Sequence, residues 1–167
     1  MEICIGFSYH NGFAPGSFII RKILDTPFSH VYFKYKENDL NDATIYHAVG
    51  KGLTYISDTN FHKKNTTIFE FKINISEELF KELKNDCHDH ASMDYGFFQN
   101  VGLVLVRALD KLGITVKKNP INDGINCSEW AYYILEEIHG KWIDCDPNLV
   151  GPDQVYEFLV KNYGNND

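Results

Sequence analysis

The chain has 167 residues, 44% hydrophobic and 14% aromatic, and a formal net charge of −7. That is the length of one globular domain with a real core, and it is neither disordered nor fibrous. The acidic balance excludes a general nucleic-acid or anionic-membrane binder, which needs a basic face.

The N-terminal stretch MEICIGFSYH has no basic region followed by an apolar one, so no signal peptide is expected. The longest apolar run, VGLVLV, is too short for a membrane span. A cytoplasmic location is expected on those grounds. The cysteines are Cys4, Cys87, Cys127 and Cys145, with no CxxC pair and no regular spacing. Reduced thiols are the expectation for such a chain.

In chain order, ICIGFS reads as a strand from its β-branched and aromatic content. HNGFAPG is a loop, and SFIIRKILD reads as a helix with Ser17 as its N-cap, stopped by TPF. SHVYFKY and TIYHAV are strands around a charged turn, residues 36–43. LTYIS and TTIFEFKI follow as further strands, and the run of strands with short polar turns predicts an antiparallel meander.

The apolar period then changes. ISEELFKELKNDCHDH predicts a helix capped by Ser76 with Glu77 and Glu78 in its first turn. A second helix is expected from about Gly96 to a C-cap at Gly113. KKNPINDG is a loop, a helix opens at Cys127, and GPDQVYEFLVKNY is a last helix with Pro152 near its start. The order predicts a single α+β domain over residues 1–163, followed by a polar tail, 164–167.

Cys127 has three readings from the residues alone: a buried small hydrophobe, half of a disulfide, or a nucleophile. Its expected place at a helix N-terminus favours a thiolate, because unpaired amides and the dipole stabilise negative charge there. The same amides can serve a developing oxyanion. A thiol nucleophile needs a base and the base an orienter. His30 opens one strand and His47 lies on the next, so a hairpin could lay both rings on one face.

Other candidates are weaker. Cys87 to His90 reads CHDH, but neighbours on a helix diverge, and an exposed helix end suits histidine. Gly50 to Gly52 lacks the phosphate-loop spacing. Asp144 and Asp146 lack the calcium-loop pattern. Ser128 lacks a nucleophile elbow, and Glu129 is expected to point away from Cys127, reaching a surface arginine or lining the cleft.

The segments FSHVYF, TIYHA and, much later, NCSEWAYYIL resemble the circularly permuted NlpC-type papain-like cysteine hydrolases, related to lecithin–retinol acyltransferase-like proteins. In that branch the histidine strands come first and the cysteine helix near the C-terminus. The resemblance covers most of the chain, from IGFSYHNG to GPDQVYEFL. It implies a papain-like α+β fold with an antiparallel sheet packed against helices. It implies Cys127 as nucleophile, His30 as general base and His47 as its orienter. DYGFFQN resembles the tyrosine–glycine element ahead of the cysteine, which implies Tyr95 as an oxyanion donor. The reaction implied is cleavage of an amide in a peptide or peptidoglycan-like substrate, with an acyl-lipid or thioester donor as the alternative. No cofactor, metal or nucleic acid is expected, and a non-catalytic module of the same fold is the other class.

Overall fold

The computed structural model describes residues 1–37, 40–49, 52–90, 96–121 and 124–164, the side chains of Phe97 and Phe98 excepted. The architecture is α+β. Five strands, β1 (Glu2–His10), β2 (His30–Tyr35), β3 (Thr44–Val49), β4 (Gly52–Ser57) and β5 (Asn65–Asn74), form one antiparallel sheet in the order β4-β3-β2-β1-β5. The helices are α1 (Pro15–Leu24), α2 (Asp58–His62), α3 (Glu77–Asp89), α4 (Phe97–Lys111), α5 (Cys127–His139) and α6 (Pro152–Tyr163).

The expected meander holds for β2, β3 and β4 and fails at β5, which crosses over to pair with β1. The cause is twofold. The short helix α2, capped by Ser57 Oγ on the Asn60 amide, turns the chain away from β4. β1 is buried along most of its length, so it needs a strand on both edges, and the ten-residue β5 fills the open one. Ser17 is not the cap of α1: Pro15 opens that helix, where its fixed φ and missing N–H cost nothing. Ser17 instead pairs its hydroxyl with that of Ser29, just before β2. The C-cap of α4 is Leu112 rather than Gly113, which comes next at φ +79°.

The sheet has two differently covered faces. Val31, Phe33, Tyr46 and Ala48 join Trp130, Ala131, Ile134 and Leu135 of α5 in the main core. Strand alternation sends Tyr32 and Ile45 to the other face, where Phe61 of α2 covers them. The Tyr32 ring lies over Gly6 of β1, the residue opposite it, and a Cβ there would come within 2.1 Å of the ring. The phenol donates to Glu70 Oε1 at 2.7 Å, which satisfies its polar tip inside the sheet. Full burial of one such aliphatic or aromatic side chain contributes about 1.5–3 kcal/mol. Among the described residues no helix is long and apolar enough to cross a membrane.

Candidate active site

His30 is the first residue of β2 and pairs with Ser8 of β1, while His47 lies in β3. The hairpin brings the rings together: His30 Nε2 lies 3.1 Å from His47 Nδ1. Their planes cross at 75° with centroids 5.3 Å apart. Phe61 walls the pair, its centroid 5.3 Å from His47 and 6.4 Å from His30. His47 is buried and His30 is partly exposed. Burial lowers the pKa of both, His30 to about 3, with the His47 ring adding to the effect, and His47 to about 4. Both are neutral imidazoles at pH 7.

Cys127 begins α5, as its flanking residues imply. Asn126 is the N-cap, and its Oδ1 accepts from the Ser128 amide at 3.0 Å, the Ser128 hydroxyl at 2.9 Å and the Glu129 amide at 2.9 Å. Asn126 is fully buried, so the cap is locked and α5 enters the core at a fixed point. The thiol lies near the backbone amides of Val31, Cys127 and Ser128, which favour its ionised form. Val31 follows His30 directly, so the thiol meets β2 one residue from the base candidate.

The expected depression of the thiol pKa is not found. Burial pushes the Cys127 thiol up and outweighs the three amides, which act downward. Cys127 is only 4% exposed, and the sheet that delivers the amides also removes the water that would solvate a thiolate. The alternation of β2 adds a geometric fact. Val31 and Phe33 face α5, whereas the two imidazoles contact Phe61 on the α2 side. Among the described residues no hydrogen bond joins Cys127 to His30. At rest the thiol is protonated on the α5 side of β2 and the two neutral rings lie on the α2 side, so the set is not an ion pair.

Tyr95 lies outside the described residues. Glu129 was not expected to do chemistry, yet it is 8% exposed and accepts from Gln99 Nε2 of α4 at 2.5 Å and from the Tyr133 hydroxyl at 3.4 Å. Burial raises its pKa. Of the two options open in the sequence it takes the cleft, not a surface arginine. The hydrogen bond from Gln99 of α4, distant in sequence, meets this buried carboxyl.

Two residues of the CHDH run make packing contacts. Cys87 is buried in the core, and its carbonyl accepts the Tyr46 hydroxyl. His90 packs on Trp130 with centroids 5.4 Å apart. Among the described residues no group of three or more His, Cys, Asp or Glu side chains could hold a metal. All four cysteines are unpaired. No protein-family model matches the chain, and no curated protein matches it.

Proposed function

We propose that the chain is a cysteine hydrolase with the permuted papain-like arrangement, cleaving an amide through an acyl-enzyme on Cys127. The observation that carries this reading is the hydrogen-bonded His30–His47 pair at the start of β2 together with Cys127 in the first turn of α5, which packs beside the next residue of that strand, Val31. The resemblance of FSHVYF, TIYHA and NCSEW to the permuted NlpC branch supports the same roles.

In the proposed reaction His30 takes the thiol proton as the sulfur attacks the acyl carbon. The S–C bond forms, the carbonyl π pair moves to oxygen, and the oxyanion is met by the backbone N–H of Cys127. Collapse expels the amine, which leaves with the proton from His30. Water, deprotonated by His30, then resolves the thioester and frees the acid. His47 holds the His30 ring. With the His30 pKa lowered and the Cys127 thiol pushed up, free proton transfer is uphill, so the proton moves only as the S–C bond forms. The step requires the His30 ring to turn from the Phe61 side toward Cys127.

An acyl-lipid or thioester donor is the second reading. It is favoured by large exposed apolar side chains at Phe13 and Phe18, 98% and 62% exposed, and at Leu105 on α4. Hydrolysis of an amide panel and an acyl-lipid panel by wild type and Cys127→Ala tests both. Cys127-dependent release of amine supports the first reading, and release of fatty acid alone supports the second. Activity unchanged in Cys127→Ala refutes both.

A further inference from the structure

Ser8 of β1 stands directly opposite His30 of β2. Their chain neighbours Phe7 and Val31 belong to the main core against α5, so strand alternation sends Ser8 and His30 to the α2 face. Side chains opposed in this way have Cβ atoms about 4.5–5.5 Å apart. The serine Oγ is bonded to its Cβ, and the histidine Nδ1 lies two bonds from its own, so one hydrogen bond spans that gap.

The serine hydroxyl is unused. Ser8 is fully buried, and its Oγ has no hydrogen-bond partner among the described residues. It is the one hydroxyl in the buried run of β1, residues 3–8. A sealed, unpaired hydroxyl destabilises where alanine would not, so packing gives no reason for serine here. On the other side of Ser8, the Thr67 hydroxyl of β5 is already engaged, 2.8 Å from that of Tyr32. His30 offers the open atom: its Nε2 meets His47, and its Nδ1 makes no hydrogen bond among the described residues.

We propose that Ser8 is a positioning residue for His30: its hydroxyl donates to Nδ1 and so keeps the ring proton on Nε2, directed at His47. The hydrogen bond made by one imidazole nitrogen sets the proton on the other. Rotation about χ1 moves the serine Oγ among three staggered positions, so the pairing needs no backbone change. The bond is released when the ring turns toward Cys127, which leaves the Nδ1 lone pair to take the thiol proton. That last consequence rests on the hydrolase reading; the tautomer itself does not.

The test uses the full chain with isotope-labelled histidine at pH 7, read by long-range proton–nitrogen correlation NMR, with the His30 signals assigned by their loss in His30→Gln. In the wild type the His30 proton is on Nε2. Ser8→Ala shifts the tautomer ratio toward protonated Nδ1 by about fivefold, the effect of one hydrogen bond. Thermal unfolding shows that variant no less stable than the wild type, because it removes an unpaired buried group. Ser8→Thr keeps the hydroxyl and the wild-type ratio. A His30 proton on Nδ1 in the wild type, or a ratio unchanged in Ser8→Ala, overturns the proposal. Acylation of Cys127 by a peptide thioester is followed in parallel. A shifted tautomer with that rate unchanged supports the assignment of Ser8 and overturns His30 as the base. An unshifted tautomer with His30-dependent acylation does the reverse.

Discussion

His30 Nε2 stands 3.1 Å from His47 Nδ1, which leaves Nδ1 as the other nitrogen of His30. Two neutral imidazoles share that contact through one proton, so the tautomers are tied together. If His30 donates from Nε2, its Nδ1 carries a lone pair and can act as a base. If His47 donates instead, the Nδ1 of His30 holds the proton and cannot. The proposed mechanism requires the first arrangement.

The identity of residue 47 therefore matters as an acceptor. His47→Asn supplies an amide oxygen for the His30 N–H and retains most of the amide-cleaving activity. His47→Phe keeps the volume, removes the acceptor and lowers kcat/KM by about tenfold or more. Equal activity in the two variants would mean that His47 does not select the tautomer.

Phe61 holds the pair through packing. Phe61→Ala opens a cavity against Tyr32, Ile45 and both rings, and costs about 3–5 kcal/mol. Phe61→Leu costs about 1 kcal/mol, the range of a hydrophobic swap that keeps most of the volume. Urea unfolding of both variants measures the difference. A loss in Phe61→Ala no larger than in Phe61→Leu would show that α2 is not a structural wall of the site.

Both histidines have folded pKa values below that of an unfolded imidazole, at about 3 and 4. Between those values and about 6.5 the unfolded chain binds protons that the folded chain does not. Stability is therefore fully present above about pH 6.5 and falls as pH drops toward 4, with a limiting slope of about 1.4 kcal/mol per pH unit for each ring. Measured unfolding free energies at pH 5 and pH 7 show the fall, and His47→Asn makes it shallower. A pH profile identical in wild type and His47→Asn contradicts the buried neutral pair.

Asn126 accepts three hydrogen bonds at the start of α5, so Asn126→Ala costs about 1–2 kcal/mol and loosens Cys127 together with its amides. Asn126→Asp keeps the acceptor geometry and restores the cap. Thermal unfolding separates them. Equal melting temperatures for Asn126→Ala and wild type would show that the cap does not anchor the helix.

Much of this fold is legible in the sequence because it is local. Ser76 with two following glutamates marks α3, and turn residues ahead of Cys127 mark α5. The pairing of β5 with β1 is not legible, because nothing in TTIFEFKI says which edge it will join. α2 is five residues long, too short for a periodic pattern, although Ser57 followed by Asp58 carries a cap signal. In the site, the approach of His30 to His47 follows from two adjacent strands. The state of Cys127 does not follow: a helix start argues for a thiolate, and only the sheet pressed over it reverses the sign. Glu129 escapes for the same reason, since its partner Gln99 lies thirty residues earlier.

The most direct test compares thiols within one molecule. Cys145 is the more exposed and Cys127 the buried one, and burial raises both, so unassisted chemistry favours Cys145. A peptide thioester is mixed with the protein at pH 7, and the acyl group on each cysteine is timed by mass spectrometry. The proposed mechanism predicts that Cys127 is acylated first, and that His30→Gln slows it by about a hundredfold or more while leaving Cys145 unchanged. Acylation of Cys145 first, or a rate at Cys127 that ignores His30→Gln, would contradict a nucleophile–base pair at the start of β2.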